Sequence, residues 1–164
     1  MYPKIADHAV VFREFPDEIT LALNFSGCPC KCEGCHSPYL RDYIGEYATP
    51  EYVDSLIDKY PEITCVGFMG GDAYPEAIVE LAKHVFQKYP HLKLGWYRGV
   101  SHTAYDKLWY WVFTYLKFGE YIKEKGPLDN PKTNQRMWWN PTPSLEYGYH
   151  WEDITERFWN KSYK

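Results

Sequence analysis

Cys28, Cys30, Cys32 and Cys35 put four thiols within eight residues, in the stretch SGCPCKCEGCHSPY. Thiols at that density form disulfides, bind zinc, or hold an iron–sulfur cluster. Disulfides fit poorly, because the chain has five cysteines, an odd number. Its opening, MYPKIADHAVVFREF, has no basic region leading into an apolar run. No export signal is read there, so the thiols are expected in the reducing cytosol. Structural zinc normally takes two ligand pairs separated by a longer stretch. Here a second pair is missing and Cys65 stands alone; His36, adjoining Cys35, completes a three-thiolate tetrahedron only with strain. The C-x3-C-x2-C set of Cys28, Cys32 and Cys35 suits a [4Fe–4S] cubane whose fourth iron takes something else. Cys30 is a candidate for that fourth position. Lying two residues from either neighbour, it is expected to point away from the cluster.

These thiols need elements to hold them. ITLALNFSG (19–27) is β-rich and ends at Gly27, so the cysteines follow a strand. ATPEYVDSLIDKY then has a capping Thr49, Pro50 at the first helical position, and Val53, Leu56, Ile57 and Tyr60 on one face. TCVGFMGG (64–71) is a short buried strand that breaks at two glycines, with Cys65 a core residue. Behind Pro75, Ile78, Leu81, Ala82, Val85, Phe86 and Tyr89 recur at helical spacing. LKLGWYRG (92–99) is a third strand, followed by a short helical candidate over 102–108 and a β-like run over 109–118. Strands alternating with helices imply parallel βαβ units, which gather ligands at the carboxyl ends of their strands. The cysteines, GGD and WYRG all fall at such ends.

Bulk properties exclude several classes. With 164 residues, 45% hydrophobic and 24% charged, the chain reads as one soluble domain over 1–164. A net charge of −4 carries no footprint for nucleic acid. The most apolar run, LWYWVFTYL, is too short to span a membrane. A cytoplasmic location is expected.

Cys28, Cys32 and Cys35 followed by His36, with FMGGD (68–72) closing the next strand, resemble the radical S-adenosylmethionine (SAM) family. The resemblance implies a small partial (β/α) barrel with mostly parallel strands and outer helices. It also implies SAM chelating the open iron. Gly70 and Gly71 would let backbone carbonyls approach its ammonium, and Asp72 would complement that charge. The chain is most similar to activating proteins of anaerobic ribonucleoside-triphosphate reductase, through GGDAYPE, KLGWYRG and the KFGEY…TNQRMW segment, with Ala73 and Arg98 departing from common residues. That similarity covers about 10–138; the aromatic-rich extension 139–164 is read as an irregular loop with a short helix near 151–161.

The implied reaction begins when a flavodoxin- or ferredoxin-type donor reduces the cluster. SAM is then cleaved to methionine and a 5′-deoxyadenosyl radical, which takes a hydrogen from a glycine of the large reductase subunit. His36 is read as packing near the adenine or capping the loop. Trp96 and Tyr97 point to opposite faces of a strand, so at most one reaches SAM. Arg98 either pairs with SAM's carboxylate or lies in solvent. Asn134, Gln135 and Arg136 form a polar latch for the loop receiving the glycine, or a local turn cap; Asp129 and Lys132 are read as solvated. Rival readings are an activase for another glycyl-radical enzyme such as pyruvate formate-lyase, a zinc-bound interaction module, and a radical SAM enzyme acting on a free metabolite.

Overall fold

The apolar runs that alternate with helical patterns become the parallel centre of one sheet. The structure is a computed structural model that describes residues 2–100, 111–144 and 150–159. Among these, eight strands are β1 (Lys4–Val11), β2 (Thr20–Phe25), β3 (Glu46–Tyr47), β4 (Cys65–Met69), β5 (Lys93–Tyr97), β6 (Tyr115–Phe118), β7 (Arg136–Trp139) and β8 (Glu152–Asp153). Their order is β3-β1-β2-β4-β5-β6-β7-β8. β2, β4, β5 and β6 run parallel, while β1, β3, β7 and β8 join antiparallel. The described residues thus form a mixed α/β sheet with a parallel core and two α-helices.

Helix α1 (Pro50–Lys59) starts where its cap requires: the Thr49 hydroxyl accepts from the Tyr52 amide at 3.2 Å. Helix α2 (Pro75–Lys88) starts at its proline. Their apolar faces, Val53, Leu56 and Ile57 on α1 and Ile78, Leu81, Ala82 and Val85 on α2, are buried with Leu23, Phe25, Phe68 and Trp96 of the strands. Each such side chain contributes roughly 1.5–3 kcal/mol. Period-two alternation sends Cys65, Tyr115 and Met137 to the other face, around the buried ring of Phe15. That ring fits because the strands are small beneath it: a Cβ on Gly95 would lie 2.2 Å from it.

Several expectations change. Strands are parallel only in the centre, because segments outside the βαβ repeat cover what would be bare parallel edges. β1 was unmarked by the sequence reading. Of the 109–118 run, residues 109 and 110 lie outside the described residues; Trp111 and Val112 form a turn and the strand covers Tyr115–Phe118. The extension is not wholly irregular: Trp139 ends β7, β8 pairs with β7, and a 3-10 turn at Thr155–Phe158 stands where a helix over 151–161 was expected. The helical candidate at 102–108 lies outside the described residues. Among the described residues no helix is long and apolar enough to cross a membrane.

Candidate functional site

Parallel register builds the floor of the site. Asn24 pairs with Met69, Met69 with Tyr97, and Tyr97 with Lys117, so four residues form one row near the carboxyl ends of the parallel strands. All four line a cavity of about 490 Å³, within the usual range of small-molecule sites. The cysteine loop forms the opposite wall, and Cys28, Cys30, Cys32 and Cys35 all line it.

The loop is pinned by the chain returning alongside it. The Gly27 amide donates to the Asp42 carbonyl (3.1 Å) and the Cys28 amide to the Leu40 carbonyl (2.8 Å). Arg41 donates to the Cys32 carbonyl at 2.9 Å, and the Ser37 amide donates to the Cys35 sulfur at 3.4 Å. Amide donation to a sulfur favours its anionic form, which suits a ligating thiolate. The four cysteines are free thiols. Among the described residues no three His, Cys, Asp or Glu side chains converge on a single metal ion. Four thiols on one short loop, with no second ligand pair along the chain, suit an iron–sulfur cluster better than a structural zinc site.

Cys30 departs from expectation. It faces the cavity rather than away, against the backbone of Gly99. Burial, followed by the charges of Cys28, Asp72 and Cys32, pushes its thiol up to about 12 from the ordinary 9.0. Cys65, fully buried, lies in the core as read; burial and Glu18 push its thiol upward.

Gly70 and Gly71 both adopt left-handed backbone (φ 89° and 83°), so the pair turns the chain away from β4; Gly70 lines the cavity, whereas Gly71 is buried against Ile78 and is not among the lining residues. The Gly70 carbonyl accepts the indole N–H of Trp96 at 2.7 Å. Trp96 itself is buried among the helices' partners, whereas Tyr97 faces the cavity. Burial and Glu14 raise the Tyr97 phenol well above its ordinary value, and its neutral hydroxyl donates to the Glu14 carbonyl at 2.6 Å.

Arg98 is not solvated. Only 6% exposed, it donates through Nε to Asp72 Oδ1 at 3.0 Å and lies over the Trp96 ring at 4.5 Å. Asp72 Oδ2 accepts the Gly99 amide at 2.8 Å. Asp72 is thereby committed within the protein, and a different cation faces the cavity. Lys117, buried in β6, donates to the carbonyls of Gly119 (2.9 Å) and Arg98 (3.5 Å). Burial lowers its ammonium to about 8, against the opposing pull of Asp72, Cys32 and Cys30. Sequence reasoning missed Lys117. Its signal was alternation: two residues beyond Tyr115, it shares that residue's face.

At the rim, the exposed ring of His36 lies 5.6 Å from that of Tyr121. Asn134 donates to the Glu120 carbonyl (3.1 Å) and buried Gln135 to that of Gly119 (3.4 Å), so these two hold the turn leaving β6. Gln135 lines the cavity; Arg136 is exposed on β7, 3.8 Å from Asp153. Lys132 is exposed as read, whereas Asp129 is half-buried, and its Oδ1 is buried with no hydrogen-bond partner among the described residues.

A four-thiol loop and a glycine turn facing one cavity match what comparison with known families returns: residues 19–125 match the 4Fe-4S single cluster domain. The chain belongs to that family. Domains of this kind are typical of radical SAM activases, which makes the chain an enzyme of radical SAM type in outline. No curated protein and no solved structure matches it.

Proposed function

We propose that this protein is a radical SAM activase that installs a glycyl radical on the large subunit of anaerobic ribonucleoside-triphosphate reductase. One observation carries the reading: the cysteine loop after β2 and the turn after β4, through Gly70 and Asp72, line one cavity at the carboxyl ends of parallel strands. The reductase as target rests on the resemblance of GGDAYPE, KLGWYRG and TNQRMW to its activating proteins, and so does the partial-barrel form of the sheet.

Cys28, Cys32 and Cys35 would hold the [4Fe–4S] cluster, with the loop geometry set by the Leu40 and Asp42 carbonyls. When bound, cluster and SAM together supply the electron and the carbon–sulfur cleavage from which hydrogen abstraction follows. The chain's own residues bind and orient. Gly70 and Gly71 let backbone carbonyls approach SAM's ammonium, and Lys117 complements its carboxylate. The Asp72–Arg98 pair braces the turn between them. Tyr97 forms an apolar wall that keeps water out. His36 and Tyr121 flank the adenine end, and Asn134 and Gln135 steady the turn beside which the partner's glycine loop enters. A flavodoxin- or ferredoxin-type protein delivers the electron, in the cytoplasm.

The test is anaerobic purification and reconstitution, followed by incubation with SAM, reductant and purified glycyl-radical proteins. A brown protein with about four irons per chain and a doublet in electron paramagnetic resonance on the reductase subunit are expected. A doublet on a different glycyl-radical protein alone would move the target. Zinc without iron would overturn the activity.

A further inference from the structure

Within the reading above, the fourth thiol has a place that the three-cysteine motif leaves unassigned. Cys30 is the cysteine whose thiol reaches the wall where SAM's amino-acid end would sit. A Cβ placed on Gly99 would meet Cys30 Sγ at 3.0 Å and Asp72 Oδ2 at 3.4 Å, so thiol and carboxylate flank the same bare stretch of backbone. The Gly99 amide is tied to that carboxylate at 2.8 Å, which holds this wall in place. On its other side, the carbonyl of Cys30 accepts from the Cys28 thiol at 3.9 Å. Cys30 therefore carries the cysteine loop to Gly99, beside Asp72, inside the cavity that all three line.

A thiol in that position competes with SAM. We propose that Cys30 caps the open iron of the cluster as a fourth thiolate in the resting protein, and that SAM displaces it on binding. The exchange breaks one iron–thiolate bond and forms bonds from that iron to SAM's amino and carboxylate groups. No electron moves, and the released thiolate takes one proton from water. Its consequence is protection: a four-thiolate cluster leaves no iron open to solvent or oxidant until SAM arrives. Gly99 leaves space beside the thiol, since a Cβ there would crowd Cys30 Sγ at 3.0 Å.

The experiment uses the full chain and its Cys30→Ala variant, both reconstituted anaerobically with 57Fe and sulfide. Iron and sulfide content, Mössbauer spectra with and without SAM, equilibrium SAM binding, and iodoacetamide labelling of each cysteine read by mass spectrometry are compared. In the wild-type chain Cys30 should be shielded from labelling without SAM and become labelled, slowly because its thiol is raised, once SAM is present, while Cys28, Cys32 and Cys35 stay shielded throughout. Cys30→Ala should keep its cluster and show a distinct iron site before SAM is added. If the capped form makes up about nine-tenths of the resting protein, the variant should bind SAM about tenfold more tightly. Equal labelling of Cys30 with and without SAM overturns the exchange. So does a Cys30→Ala variant that loses iron, which would make Cys30 a permanent ligand. Failure of both proteins to take up any iron and sulfide refutes the iron–sulfur reading itself, a result distinct from either of these.

Discussion

Asp72 and Arg98 form a buried ion pair, Nε to Oδ1 at 3.0 Å, with side chains 2% and 6% exposed. The pair joins the turn after β4 to the end of β5, and Asp72 also accepts the Gly99 amide. Breaking such a pair from one side leaves a charge without its partner in a poorly solvated place. Arg98→Met should therefore cost about 3–5 kcal/mol, while the double variant Asp72→Asn/Arg98→Met recovers much of that loss. Urea unfolding of the single and double variants checks it. A double variant no more stable than Arg98→Met would mean that Arg98 acts through packing on Trp96 alone.

Lys117 has the opposite balance, since a buried ammonium burdens the empty fold and serves only when an anion arrives. Lys117→Met should leave the protein at least as stable as wild type and weaken SAM binding by tenfold or more, about 1.4 kcal/mol. Thermal melting and equilibrium dialysis measure the two effects separately.

The same lysine sets an alkaline signature in cluster-free protein. With its value about 8 when folded and 10.5 ordinarily, the unfolded chain binds more protons between those values, so stability rises with pH there. The Cys30 thiol, at about 12 against 9.0, acts in reverse: the fold keeps a proton that the unfolded chain releases, and stability falls above about pH 9. The raised Cys65 thiol and Tyr97 phenol add to that fall above their ordinary 9.0 and 10.0. Urea midpoints should rise from about pH 8, peak near about pH 9 and fall above it, and Lys117→Met should lack the rise.

The two glycines of the turn should differ in tolerance. A Cβ on Gly71 would meet Ile78 at 2.6 Å, while on Gly70 its nearest neighbour is the Phe25 carbonyl at 3.5 Å. Both alanines suffer the left-handed backbone, roughly 1–2 kcal/mol, and Gly71→Ala adds overpacking of about 1–3 kcal/mol. Melting temperatures should rank wild type above Gly70→Ala above Gly71→Ala.

Cys28→Ala, Cys32→Ala and Cys35→Ala should each lose most of the bound iron and all SAM cleavage. Cys65→Ala, whose thiol lies in the core beside Phe15, Tyr115 and Met137, should keep wild-type iron content. Iron and sulfide analysis after parallel reconstitution decides between a ligand and a core thiol.

Much of the site was readable along the chain. The cysteine loop after β2, the Gly70–Gly71 break and the helix starting at Pro75 are signals carried by spacing over a few residues, and the local structure places each where it was read. Tyr97 and Trp96 were correctly sent to opposite faces, since alternation is a property of one strand. Arg98 was left between solvent and ligand because its partner, Asp72, lies on another strand's turn. β1 and β8 escaped notice because β1 is half-exposed and β8, at the sheet edge, is only two residues long, so neither carries a strong apolar pattern.

By itself the sequence determined the chemistry on offer, a thiol loop after one strand and a glycine turn after the next, together with two helices whose apolar faces and caps leave little choice of conformation. Tertiary structure alone decided which groups meet: Cys30 turned inward against Gly99, Lys117 in register with Tyr97, and Asp72 spent on Arg98. The reason is that spacing and period are local, whereas register, strand direction and burial depend on which distant segments become neighbours. A buried charge takes its meaning from those neighbours.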